Sequence, residues 1–170
     1  MGQEIVSINR ILEEVRNRNG IDGLALNLDG VAGIQLKSGI KIFFEYREPV
    51  RKLHIHLLLM PLSKDQTQRL ALQESMLTYN FIHLGRGPGM LAVCPAMEEA
   101  VCQIGLDIAT LDADALDKAL RGLIDQRDDV LHHLSNNMKA DSALHVPQSM
   151  QSTYDRLAIA ARIGAAKMMG

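Results

Sequence analysis

The sequence predicts an α+β fold, an antiparallel β-sheet flanked by about three helices in the order α-β-β-β-β-α-β-β-α. Three observations carry this expectation. Apolar residues recur every three or four positions near the start, in the middle and near residue 120, which is the period of an amphipathic helix. Between the first two such stretches they alternate with polar residues, as in strands buried on one face. The links between alternating stretches are short, so neighbouring strands run antiparallel as a meander.

Ile5, Ile8, Leu12 and Val15, with Ile11 alongside, set the opening helix over residues 3–18. Asn19-Gly20 ends it, glycine being at ease in the left-handed conformation just past a helix. Four strand segments follow. Leu24, Leu26 and Leu28 alternate up to a turn at Asp29-Gly30, and Ile34 and Leu36 up to another at Lys37-Ser38-Gly39. Ile40, Ile42, Phe44 and Tyr46 then alternate with Lys41, Phe43, Glu45 and Arg47. After Glu48-Pro49-Val50, Leu53, Ile55, Leu57 and Leu59 alternate with His54, His56, Leu58 and Met60.

Ser63-Lys64-Asp65-Gln66 reads as a capping box opening a second helix that runs to about Leu84. This helix has two apolar stripes: Leu70, Leu77, Phe81 and Leu84 on one side, and Leu72, Met76, Tyr79 and His83 on roughly the other. A surface helix of a monomer needs only one. Met90–Cys94 and Ala100–Ile108 predict a further strand pair. Asp112 reads as the N-cap of a last core helix with the stripe Leu116, Leu120, Leu123, Leu131 and Leu134. Ser135-Asn136-Asn137 reads as a linker, giving a domain over 1–134 and a C-terminal extension over 135–170. In that extension Pro147 introduces a second, weak helix with a thin stripe of Tyr154, Leu157, Ala161, Ala165 and Met168.

Composition narrows the function. The 170 residues include 18 Lys+Arg and 20 Asp+Glu, a formal net charge of -2 that argues against a nucleic-acid partner. The near-balance is a sum: residues 1–134 hold 18 acidic and 14 basic residues, residues 135–170 hold 2 and 4. Trp is absent, Tyr and Phe number three each, and Met numbers nine, which leaves no aromatic platform for stacking bases. No apolar run approaches the roughly 20 residues of a membrane-spanning helix, so no membrane insertion is expected. The start, Met1-Gly2-Gln3-Glu4, lacks a signal-peptide pattern. Cys94 and Cys102 match no zinc or redox spacing and read as small apolar residues in a reducing cytosol.

No pattern builds an active site, and neither an enzymatic activity nor a cofactor is expected. Gly85-Arg86-Gly87-Pro88-Gly89 follows a helix and precedes a strand, the reverse of a phosphate-cradling loop, and reads as a helix-terminating turn. His54 and His56 share one face of a strand, a spacing open to a metal, but only Glu45 across the strand pair could add a ligand. What rises above background is surplus apolar surface. Phe43, Leu58 and Met60 lie on the sheet face opposite the core, and the second helix has its extra stripe; together they suggest burial against other chains.

The chain resembles the class I type III secretion chaperones, the Tir-chaperone (CesT-like) family, over roughly residues 3–134. The resemblance rests on the opening helix ending at Asn19-Gly20, on Leu24-Ala25-Leu26-Asn27-Leu28-Asp29-Gly30 and Ile40–Glu45, on Leu77-Thr78-Tyr79-Asn80, and on Gly87-Pro88-Gly89-Met90-Leu91-Ala92-Val93 before an aliphatic strand. It implies a cytoplasmic homodimer that holds the N-terminal chaperone-binding segment of secreted effectors in extended form and presents them to the secretion ATPase. Members tend to end near the third helix, whereas this chain continues over residues 135–170. On this reading Phe43, His54, His56 and Leu58 face the effector and Leu72, Met76, Tyr79 and His83 form the twofold interface, the two sets being interchangeable or partly internal. A regulatory protein of the same fold, sequestering a transcriptional activator or a secretion-gate component, is the alternative.

Overall fold

The computed structural model describes residues 2–85, 87 and 89–140. They form helix α1 (Gly2–Asn19), strands β1 (Val31–Gln35) and β2 (Lys41–Arg47), a 3-10 turn at Glu48–Val50, strand β3 (Lys52–Pro61), helix α2 (Gln66–Ile82), strands β4 (Met90–Cys94) and β5 (Glu99–Asp107), and helix α3 (Ala113–Ala140). The strands make one antiparallel sheet in the order β1-β2-β3-β5-β4. The sheet with its core belongs to the unit Met1–Met138.

The α+β class is as expected, but one expected strand is missing, and the element order is α-β-β-β-α-β-β-α. Leu24 and Leu26 are buried as their alternation requires, while Leu28 is exposed at the turn. Their segment pairs with a side chain instead of a strand. Asn9 of α1 donates from Nδ2 to the Leu26 carbonyl at 3.1 Å, and Oδ1 accepts from the Leu26 N–H at 2.7 Å. A single amide thus meets both backbone groups that a neighbouring strand would have met. Alternation reports burial; it does not say what satisfies the backbone.

Helix boundaries follow their caps. For α2 the cap is Asp65, two residues later than the expected box, its carboxylate accepting from the Gln68 N–H at 2.9 Å. Ser63 supports it, accepting from the Asp65 N–H at 3.1 Å and donating to Gln68 Oε1 at 2.9 Å. Asp112 caps α3 as expected, accepting from the Ala115 N–H at 2.7 Å. Ser135-Asn136-Asn137 is not a linker but part of α3, which runs on to Ala140. Three weak helix formers cost about 0.5 kcal/mol each, and Val130 and Leu134, both fully buried, anchor the preceding turns. The expected helix after Pro147 lies outside the described residues.

The core lies between the helices and one face of the sheet. Ile8, Leu12 and Val15 of α1 and Leu116, Leu123 and Leu134 of α3 join Phe44, Ile55, Leu57 and Cys102 of the sheet in one buried cluster. Tyr46 ties β2 to α1 by donating its hydroxyl to Glu4, and burial followed by that partner pushes the phenol up to about 12. Burial also pushes the Cys102 thiol up to about 11, as befits a core side chain. Gly89 is required where the loop after α2 enters β4. A Cβ there would stand 2.7 Å from both Cys102 Sγ and Leu123 Cδ2.

Candidate functional site

The sheet face turned away from this core carries the four residues expected to face an effector. In the register, Phe43 lies opposite His56, Glu45 opposite His54, His56 opposite Gln103, and Gln103 opposite Met90. Side chains at directly opposed positions share a face, so Phe43, His56, Gln103 and Met90 form one row across four strands. Leu58, Val101 and Ala92 form a second. Phe43, His54 and Leu58 are half-buried, His56 is buried, and Met90 is exposed. The structure therefore brings Phe43, His54, His56 and Leu58 onto one surface and adds Met90 and Gln103. Those two were missed because their membership depends on β5 lying between β3 and β4, which no local pattern announces.

The electrostatics of this face centre on Glu45. Arg47 donates to its carboxylate at 3.0 Å and holds it below the usual range. His56 Nε2 lies 3.7 Å from the same carboxylate, and the rings of His54 and Phe43 each lie 6.1 Å from the His56 ring. Burial pushes both histidines below their ordinary value, with Arg47 adding to the effect and Glu45 opposing it. At neutral pH the pair is therefore uncharged and behaves as flat, weakly polar surface. Among the described residues no group of three or more His, Cys, Asp or Glu side chains could hold a metal ion.

The two edges of the sheet differ. In β4 the Leu91 backbone points away from β5, and Asn80 of α2 meets it, donating to the carbonyl at 2.9 Å and accepting from the N–H at 2.8 Å. In β1 the backbone groups of Val31, Gly33 and Gln35 point away from β2, because Gly30 and Leu36 make the inward bonds on either side. Asn27 meets those of Val31 through its N–H and its Oδ1. Gly33 and Gln35 have no such partner among the described residues, so β1 presents an open edge beside Phe43.

Helix α2 shows its two stripes plainly. Leu72 (1% exposed), Met76 (3%) and Tyr79 (4%) are buried within the protomer, while Leu70, Leu77 (70%), Phe81 (69%) and Leu84 (75%) are exposed. Tyr79 accepts from Gln126 of α3 at 2.9 Å and stacks on half-buried His83 with ring centroids 4.2 Å apart. The stripe expected to meet a second chain is thus largely occupied by this protomer's own packing, and the opposite stripe is the free one. Helical period identifies two stripes but not which of them the sheet edge covers.

The face away from the core thus leaves Phe43, His54 and Leu58 half-buried and Met90 exposed around the buried His56 and Val101, beside an open β1 edge and a helix apolar on both sides. The family model of the Tir chaperone protein (CesT) family matches residues 10–131. The chain belongs to that family, the class I type III secretion chaperones. No curated protein matches it in sequence. Among solved structures, a chain of the ExsC-ExsE complex superposes with a TM-score of 0.63 at 16% identity, covering 76% of this chain and 95% of that one. A chain of the HopA1-SchA chaperone-effector complex gives 0.58 at 14% identity, covering 78% and 98%. A chain of the heterodimeric ExoU-SpcU complex of Pseudomonas aeruginosa gives 0.52 at 19% identity, covering 74% and 96%. At these identities the likeness shows the shared fold. Asn80 and Gly89, both within the segments that carry the sequence resemblance to this family, are here an edge seal and a close-packed turn.

Proposed function

We propose that this CesT-family chain works as a cytoplasmic homodimer that holds the N-terminal chaperone-binding segment of a type III secreted effector extended, for delivery to the secretion ATPase. The observation that carries this reading is the bare sheet face beside an open edge. A client strand pairing with Gly33 and Gln35 would place alternate side chains on the face of Phe43, reached across Gly33, with Leu58 one strand further in for the rest of the segment. Ordering a disordered segment costs conformational entropy, which is offset by many modest apolar contacts. The adaptable Met90 and Leu58 suit varied clients better than a rigid aromatic wall.

For the twofold surface we assign the exposed stripe of α2, Leu70, Leu77 and Phe81, backed by the buried Leu72, Met76 and Tyr79. Light scattering at micromolar concentration should show a dimer, and Leu77→Asp with Phe81→Asp should reduce it to the 18.8 kDa monomer. A wild-type monomer would overturn the assignment. For client binding the probe is the N-terminal fragment of the type III secreted protein encoded beside this chain, co-expressed and co-purified. Phe43→Asp with Leu58→Asp should abolish the complex while leaving the melting temperature of the free chaperone nearly unchanged. A complex that survives the double change would overturn the choice of face.

A further inference from the structure

Strand β4 is shorter than the strand it covers. It pairs with Glu99–Gln103, while β5 runs on to Asp107. Gly105 lies in the uncovered part. The Ile108 N–H bonds the Arg51 carbonyl, so residues at even positions from Ile108 back to Cys102 direct their backbone groups to β3. Gln103 and Gly105 direct theirs the other way. Gln103 finds Met90, but the N–H and carbonyl of Gly105 have no partner among the described residues. They face a cavity of about 330 Å³ lined by His54, Gln103 and Ile104 on the sheet side and by Leu84, Gly85, Gly89 and Met90 opposite. The lining is apolar at Leu84 and Met90 and polar at Lys52, Asn80, His83 and His54, whose Nε2 is buried without a hydrogen bond among the described residues.

We propose that this notch is a second backbone anchor for the client chain, which makes a one-residue strand bridge to Gly105 and sets an apolar side chain between Leu84 and Met90. The inference rests on the chaperone reading above and goes beyond it by naming a second attachment point. A donor and an acceptor side by side on a free strand edge are matched by a peptide group of an extended chain, not by a lone ion. Continuity favours the client over a second copy of this chain, because His54 belongs both to the bare face and to the notch. Distance is compatible as well. From a client strand outside β1 to one outside β5 is five strand spacings, about 24 Å, a span of about seven extended residues. A client leaving the β1 edge can cross Phe43 and His56 and reach Gly105 without a break.

The test compares two substitutions at one position. Gly105→Pro removes the outward N–H and costs no internal bond, since none is made there among the described residues. Gly105→Ala keeps the N–H and adds the same Cβ, whose nearest neighbours are His54 Cε1 at 3.2 Å, Lys52 Cδ at 3.4 Å and His54 Nδ1 at 3.5 Å, all in flexible side chains. With the co-expressed effector fragment as probe, Gly105→Pro should weaken binding about tenfold, one hydrogen bond's worth, with Gly105→Ala close to wild type. As a measurement independent of either variant, hydrogen exchange on wild-type complex should show the Gly105 amide slowed by the fragment. A complex with unslowed Gly105 exchange and no difference between the variants overturns the notch alone. No wild-type complex overturns the chaperone reading itself and the notch with it.

Discussion

The two edges of the sheet are built from the same kind of strand and are left open to different extents. β1 and β4 are both five residues long, both flank a longer partner and both turn alternate backbone groups outward. At β4 the outward groups of Leu91 are closed by Asn80, whose amide stands in for a strand. At β1 Asn27 closes only Val31, and Gly33 and Gln35 remain available. An exposed edge invites pairing with whatever strand is near. Each edge is closed at one residue by an asparagine, and β1 keeps two outward residues, Gly33 and Gln35, where β4 keeps only Val93 without a partner among the described residues. Asn9 plays the same part at Leu26, so side-chain amides replace strands at two separate places in this small fold.

Proline substitution should expose the contrast most sharply. Ala92 bonds inward to β5, so Ala92→Pro should cost about 3 kcal/mol or more in urea denaturation. Gly33→Pro, on an N–H that faces outward, should cost under about 1 kcal/mol while abolishing strand addition at β1. Equal losses would mean that the β1 edge is not free. Next in size, Asn80→Ala removes two bonds to Leu91 and should destabilise by about 2 kcal/mol. Asn80→Asp, which keeps the acceptor and loses the donor, should recover only part of this. An unchanged midpoint for Asn80→Ala would show that α2 does not need the seal.

The smallest effect concerns the bare face between the edges. Burial holds the folded-state value of His56 below its unfolded one. Above the unfolded value, near 6.5, both states are neutral and stability is at its full level. As pH falls below that value the unfolded chain takes up the proton first, and stability drops until the folded-state value is passed. Melting temperature should therefore fall from pH 7.5 to pH 5, and His56→Gln should flatten that slope. An equally steep slope in the variant would assign the titration elsewhere, for instance to His54, which burial also holds below its ordinary value.

Much of this was legible in the sequence, for local reasons. Ile5, Ile8, Leu12 and Val15 place a helix because their spacing matches its pitch. The alternations through Tyr46 and Leu59 place strands because side chains on a pleated backbone change face at each residue. Asp112 announced a helix start because a short acceptor can reach the free N–H groups of a first turn. The four residues Phe43, His54, His56 and Leu58 fall on one face for the same reason of parity. All of these depend on residues within a turn or a strand of one another.

What the tertiary structure alone decided depends on partners far apart in sequence. Leu24 and Leu26 alternate like a strand, but the Leu26 backbone is satisfied by Asn9, seventeen residues away. The helical wheel of α2 gives two equal stripes, and only its seat against β4 and α3 buries Leu72, Met76 and Tyr79 and frees Leu77 and Phe81. Ser135-Asn136-Asn137 reads as a break, yet it continues a helix whose preceding turns are held by buried Val130 and Leu134. The open groups of Gly33, Gln35 and Gly105 exist because strand order and length leave them unmatched. Periodicity fixes which way a side chain points; whether a backbone group is covered depends on which element arrives beside it, and that is a property of the assembled fold.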